Sequence, residues 1–288
     1  MGRRAGGDTP VIQDFELEAF VTATLAEDLG PGVDVTSEAV IPADARFNAV
    51  MATRDAITVA GLEVASAFFR HLDPAATVEA LAKDGARVAR GSVLMRISGQ
   101  ARALLTAERS ALNTVQHLSG IATMTSLYVD RLAGTGTVLL DTRKTLPGLR
   151  LLEKYATRMG GAQNHRMGLW DAAMIKDNHV AVAGDVSIAV ARARAAGIAE
   201  IIVEVDRLDQ IEPAIAAGAT RLLLDNMPPA VLSQAVAMID GRIPSEASGG
   251  ISLETIRPVA QTGVNFVSVG RLTQSAPAAD IGLDYEIA

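Results

Sequence analysis

No cysteine occurs among the 288 residues of this chain. Disulfides, thiolate metal sites and cysteine nucleophiles are thereby excluded, and a cytoplasmic setting is expected. Aromatic residues are also scarce, at 3%, so Ala, Val, Leu and Ile must fill most of the interior. No segment approaches the roughly 18 uninterrupted apolar residues of a membrane span. The opening MGRRAGGDTP carries two arginines with no apolar run behind them, so it reads as a disordered leader rather than a signal peptide. Positive charge is in deficit as well: the formal net charge is -7 and the pI about 5.2. A nucleic-acid surface is not expected, because phosphate backbones select for basic faces. The chain also lacks a His-x-x-x-His pair or carboxylate cluster for zinc, and a Gly-x-Ser-x-Gly elbow for a serine nucleophile.

Against this acidic background, residues 141 to 180 gather Arg143, Lys144, His165, Arg166 and Lys176 around glycine-rich turns. A local collection of cations in an acidic protein reads as a receptor for a small polyanion. The remaining composition, 49% hydrophobic and 20% charged, is ordinary for an enzyme. The length allows a single barrel domain or a barrel with a smaller companion.

Up to about residue 111 the chain mixes a helix at 15–28 with strand-like runs at 47–54 and 56–60. The intervening AEDLGPGVDVTSEAVIP reads as a loop from its Gly, Pro and Asp content. The run DGARVARGSVLMRI sets glycines around alternating apolar residues, as hairpin-rich sandwiches do. Lys83 does not sit at a hairpin tip between hydrophobic residues, which argues against a lipoyl or biotinyl attachment site. From Arg102 to Leu132 apolar residues recur at near-helical spacing, interrupted at Gly120.

Strand and helix then alternate, the signature of parallel βα units. The strands expected are 138–143, 172–177, 201–206, 221–226, 243–250 and 266–272. Helices follow the second to fifth of these; the helix after the fourth carries Pro228 and Pro229 near its start, and the helix after the fifth opens on Ser252 as N-cap and closes at Gly263. Arg143, Lys176, Glu204, Asp225, Ser248 and Gly270 fall at or near the C-terminal ends of the six strands. In a βα barrel those ends converge on one mouth, whereas an open doubly wound sheet concentrates ligand contacts at a switch point. The even spread favours the barrel.

Glu204 and Asp225 interrupt the apolar runs IIVEVD and LLLDN, where a carboxylate is costly unless paired, hydrogen-bonded or metal-bound. Ribose hydroxyls and a divalent cation such as Mg2+ are suitable partners. The glycines of SGG at 248–250 and VGRL at 269–272 would let backbone N–H groups approach a phosphate. Lys176 at a strand end also admits a Schiff-base reading. His71 and His117 read as packing or surface residues, and His179 stays open because it directly follows a strand end.

These motifs together, EDLG…DVTS, TAERSALN, HLSGIAT, DTRKTLPGLR, KYATRMGGAQNHRMGLWDAAMIKDNH, VEVD, LLLDN and EASGGI, resemble the quinolinate phosphoribosyltransferase family, also called nicotinate-nucleotide pyrophosphorylase (carboxylating). The resemblance runs from about residue 15 to the C-terminus. It implies an α/β fold: an N-terminal α/β sandwich, taken as 1–111 joined by 279–288, and an incomplete, six-stranded parallel βα barrel, taken as 112–278. It further implies transfer of phosphoribosyl from phosphoribosyl pyrophosphate to quinolinate with decarboxylation, a pentosyltransferase reaction of NAD biosynthesis giving nicotinate mononucleotide, pyrophosphate and CO2 with Mg2+.

Carried over by position, Arg109, Thr142, Arg143, Lys144, His165, Arg166 and Lys176 would hold the quinolinate carboxylates and the phosphates. Glu204 and Asp225 would hold ribose hydroxyls and Mg2+, directly or through water, and Ser248, Gly249, Gly250, Gly270, Arg271 and Leu272 would form the phosphate end. Lys144, Lys176, Glu204 and Asp225 carry the catalytic expectation. The resemblance also implies a homodimer with a shared site, Arg109 reaching over from the partner, and a hexamer as a further option. Ala162, Gln163 and Trp170 depart from the family pattern. The alternatives are a molybdenum-transport-associated paralogue of the same fold and a non-catalytic phosphate-ligand sensor.

Overall fold

The computed structural model describes Ile12 and residues 14–286. The expected leader MGRRAGGDTP lies outside the described residues. In chain order the elements are α1 (Leu17–Leu29), α2 (Val35–Val40), β1 (Arg46–Thr53), β2 (Ile57–Thr58), α3 (Leu62–Leu72), β3 (Thr77–Ala80), β4 (Arg87–Val88), β5 (Val93–Gln100) and α4 (Ala101–Leu132). Then come β6 (Val138–Leu140), α5 (Arg150–Met159), β7 (Ala173–Ile175), α6 (Asp177–Ala183), α7 (Val186–Ala195), β8 (Ile201–Val205), α8 (Ile211–Ala217) and β9 (Arg221–Asp225). The last are α9 (Pro229–Ile239), β10 (Ser245–Ser248), α10 (Ile256–Ala260), β11 (Phe266–Ser268), α11 (Arg271–Gln274) and β12 (Ile281–Tyr285). None of the helices among the described residues is long and apolar enough to cross a membrane.

The chain divides into two compact units. The first comprises residues up to Thr123, Leu151–Gly160 and the segment from Ala276 on; the second comprises Met124–Arg150 and Gly161–Ser275.

In the first unit lies an antiparallel sheet of order β12-β1-β5-β3, whose central pairs alternate between a buried and a wetter face. Ala49 lies opposite Ile97 and Met51 opposite Met95, all four buried, while Asn48 faces Ser98 and Val50 faces Arg96 on the wetter side. Phe68 and Phe69 of α3 are fully buried, and Phe20 of α1 meets Phe68 edge-on at 6.0 Å. The run DGARVARGSVLMRI supplies two strands that do not pair with each other: β4 pairs with β2, while β5 becomes a central strand of the sheet.

Two further expectations change here. The stretch after α1 is not all loop, because Asp34 accepts from the amides of Thr36 and Ser37 and so starts α2. Gly120 does not interrupt α4, which runs unbroken for 32 residues. Glycine is required there for clearance, since a Cβ would lie 2.1 Å from the Pro277 carbonyl oxygen.

The second unit is a six-stranded sheet of order β6-β11-β10-β9-β8-β7, parallel at every pairing. All six strands expected from the sequence are present, each shorter than read. The edges β6 and β7 do not pair with each other, so the barrel is incomplete; a parallel bridge between Leu140 and Gln163 extends the β6 edge. On one face Val203, Val205, Leu222, Leu224, Ala247 and Val267 join the helices in a continuous apolar core. The helix near Ser252 starts late: the Ser252 hydroxyl goes to Glu254 and its amide to the Thr255 hydroxyl, leaving regular helix to begin at Ile256.

Candidate active site

The other face of the barrel sheet carries the polar residues, and register explains why. Glu204 of β8 lies beside Leu223 of β9, Leu223 beside Glu246 of β10, and Asp225 beside Ser248. Ile175 pairs with Val203, which puts Lys176 level with Glu204. Because side chains alternate along a strand, these positions share one face, opposite to the apolar core.

That face lines a cavity of about 730 Å³, within the range of small-molecule sites. All the residues expected to bind or act on substrate line it except two. Leu272 is fully buried in the core, and Arg109 is exposed on α4 in the first unit. Thr142, Arg143 and Lys144 follow β6, and His165 and Arg166 come from the loop before β7. Ser248, Gly249 and Gly250 end β10, and Gly270 and Arg271 follow β11.

The two basic motifs are tied together by a residue the sequence reading passed over. Asp141, fully buried at the end of β6, accepts from the His165 amide at 2.8 Å and from the Asn164 side chain at 2.6 Å. The Gln163 amide donates to the Leu139 carbonyl and the Asp141 amide to the Gln163 carbonyl, with the Gln163 side chain turned outward. Gln163 therefore works through its backbone, and its departure from the family pattern leaves the cavity wall unchanged. Trp170 is 81% exposed with its ring against Gly168, and Asp171 holds that loop by accepting from the amides of Met167 and Gly168. Burial works against the Asp171 carboxylate, but these two amides, its own amide and the charge of Arg166 together outweigh it and hold its pKa below the usual range.

The cations are arranged for an anion. Arg166 donates to the Ala172 carbonyl at 3.0 Å, and burial followed by the charge of Arg143 draws its pKa below that of a free arginine. The Arg143 Nε is buried with no hydrogen-bond partner, which is costly for a donor unless a ligand completes it. Lys144 packs over Gly270, where a Cβ would lie 2.7 Å from its Cδ. His165 Nδ1 accepts the Arg166 amide at 2.7 Å and its Nε2 lies 3.2 Å from Glu246, a geometry that suits a ring proton on Nε2.

Glu204 receives the Lys176 ammonium, and Asp225 accepts from the Asn226 side chain at 2.6 Å. Among the described residues no group of three or more histidines or carboxylates could hold a metal by itself. Two carboxylates on one cavity wall nonetheless fit Mg2+, which is commonly bound by one or two carboxylates together with substrate phosphates and water. Gly249, at φ 94°, is fixed by fit as well as conformation, since a Cβ would lie 2.1 Å from the Asn226 Oδ1. Glu246 lines the cavity too and was missed because its strand, SEAS, has no apolar run to mark burial. His117 and His71 lie against Glu153 and Glu18, and His179 accepts the Lys176 amide, so none of the three lines the cavity.

Residues 34–119 match the N-terminal domain model of quinolinate phosphoribosyl transferase and residues 121–284 the C-terminal domain model. The chain belongs to the quinolinate phosphoribosyltransferase family. It is 44% identical over 283 residues to nicotinate-nucleotide pyrophosphorylase [carboxylating] of Mycobacterium leprae, covering 95% of this chain and 100% of that one. It is 41% identical over 278 residues to the probable enzyme of the same name from Bacillus subtilis, covering 96% of each. The solved structure of NadC from Streptococcus pyogenes superposes with a TM-score of 0.90 at 40% identity, covering 98% of this chain and 100% of that one. The quinolinate phosphoribosyltransferase motifs quoted from Thr142 onward thus supply the cavity wall, with Glu246 beside them on β10 and Asp141 bracing them from behind.

Proposed function

We propose that the chain transfers the phosphoribosyl group of phosphoribosyl pyrophosphate to the ring nitrogen of quinolinate and releases pyrophosphate and CO2, forming nicotinate mononucleotide in NAD biosynthesis, in a cytoplasmic setting. The observation that carries this reading is the sorting of charge in the cavity. Arg143, Lys144, Arg166, Lys176 and Arg271 supply cations, while Glu204 and Asp225 supply acceptors on neighbouring strands. A dicarboxylate and a pyrophosphate brought together out of water require several fixed cations, and a ribose requires hydrogen-bond acceptors.

In this reading Arg143 and Arg166 hold the acid, with the unpartnered Arg143 Nε completed by a carboxylate oxygen. Glu204 and Asp225 orient the ribose, and the glycines at 249, 250 and 270 let backbone N–H groups approach phosphate. Mg2+, when bound beside Glu204 and Asp225, would neutralise the departing pyrophosphate. Attack by the ring nitrogen breaks the bond from ribose C1 to the pyrophosphate oxygen, so positioning and charge stabilisation dominate and no protein nucleophile is needed. The alkylated nitrogen is then positive. When the bond to the adjacent carboxyl breaks, the electron pair stays on the ring carbon beside that nitrogen and is afterwards protonated. Arg109 belongs to this reading as a residue supplied by the second subunit of a homodimer, which assembles further into a hexamer where the family's larger form is adopted.

The test is release of CO2 and pyrophosphate from purified protein. Both are expected in equal amounts only when quinolinate, phosphoribosyl pyrophosphate and Mg2+ are all present. CO2 without the donor, or neither product from the complete mixture, would overturn the assignment and leave a ligand-binding role.

A further inference from the structure

Glu246 does not fit the charge logic of an anion site. It is fully buried, lines the cavity intended for two acids and a pyrophosphate, and leaves its Oε1 without a hydrogen-bond partner. A buried carboxylate with one oxygen unpartnered is expensive, so its presence calls for a reason. Its Oε2 explains what it does. That oxygen lies 3.2 Å from His165 Nε2 and accepts from Arg221 Nη1 at 3.3 Å. Arg221 is itself held from outside: its Nη2 donates to Glu200 at 2.7 Å, and its guanidinium lies 4.6 Å above the Phe266 ring.

The chain of contacts continues past the imidazole. With its proton committed to Glu246, His165 presents a bare Nδ1, and that atom accepts the Arg166 backbone amide at 2.7 Å. If the ring took the other tautomer, two N–H groups would confront each other and the start of the Arg166 backbone would have to move. We propose that Glu246 is a positioning residue for acid binding: it fixes His165 in its Nε2–H tautomer, and through that tautomer fixes Arg166 opposite Arg143. This rests on the reading of the cavity as a quinolinate site, but its first consequence is independent of turnover. Arg221 and Glu200 hold the carboxylate in place without touching ligand.

The tautomer is read directly by nitrogen NMR of the full chain labelled in its 4 histidines, with His165→Asn assigning the signals. Wild type should show a pyrrole-like Nε2 and a pyridine-like Nδ1 at His165 at neutral pH. Glu246→Leu should lose that pattern and raise the KM for quinolinate roughly tenfold or more, with the KM for phosphoribosyl pyrophosphate changed far less. Glu246→Gln, which can still accept from Nε2–H, should restore both the tautomer and the quinolinate KM to within about threefold of wild type. If Glu246→Leu does not fold, Glu246→Asp, which keeps the charge and withdraws the oxygen by one methylene, must raise the quinolinate KM at unchanged melting temperature. A protonated Nδ1 in wild type, an unaltered tautomer in Glu246→Leu, or equal effects on both KM values would overturn the proposal. A failed turnover assay with the expected tautomers intact would instead count against the substrate assignment.

Discussion

Arg143 and Arg166 show how a single residue can be worse for the fold and better for the site. Each raises the cost of the other's charge, and Arg143 adds a buried donor without a partner. Arg143→Leu removes both penalties while keeping apolar bulk. The melting temperature should therefore hold or rise, while the quinolinate KM rises by at least tenfold, as expected when one partner of a desolvated charge contact worth about 2–5 kcal/mol is deleted. A fall in melting temperature with unchanged KM would make Arg143 a structural residue. Both were legible in the sequence as members of one basic segment, because DTRK ends a strand and NHR follows a glycine-rich turn. Glu204 and Asp225 were legible for a sharper reason: each breaks an apolar run, and burial of a carboxylate demands an explanation. Glu246 escaped because its strand reads SEAS, and a polar strand gives no hint that its inner face is dry. The tautomer proposed for His165 escaped for a different reason. It depends on the Arg166 amide, a backbone contact that no spacing rule reports.

At the scale of elements, the six barrel strands and their helices could be read because parallel βα units write their period plainly. What composition concealed was α2, where glycines and proline around it suggested only loop. Asp34 is the deciding residue: its side chain accepts from the Thr36 and Ser37 amides at 3.1 and 3.0 Å and is joined by the Thr106 hydroxyl at 3.1 Å. Asp34→Ala should cost about 1 kcal/mol, the usual value of a lost cap. Scanning calorimetry should see this as a fall of roughly 3 °C in the melting temperature. The pH dependence has a definite sign. The Ser37 hydroxyl and amide hold the folded Asp34 pKa below its ordinary value, so protons bind more readily to the unfolded chain. The stabilisation is complete above an ordinary carboxylate pKa of about 4 and is lost as pH falls through the lower folded value. Wild type and Asp34→Ala should therefore differ at neutral pH and converge in acid; a gap that persists there would assign the loss to packing instead of the cap.

For the whole molecule, the question is where Arg109 acts. It is exposed on α4 in the first unit, whereas Lys144 lines the cavity of the second. If one protomer lends Arg109 to the other's cavity, the two residues of a working site come from different chains, and two inactive variants can repair each other. Arg109→Ala and Lys144→Ala should each fold with near-normal melting temperature and lose most turnover. In a mixed dimer one site would carry both lesions and the other neither. After equal mixing under conditions that exchange subunits, random pairing should return about a quarter of wild-type activity. Exchange is verified by co-purification of an untagged variant with a tagged one. Recovery near that fraction requires a site assembled from two chains, because no rearrangement within one chain supplies a residue that both of its copies lack. Verified exchange without recovery would place Arg109 and Lys144 in the same protomer's site, and the dimer would then be an assembly of complete sites.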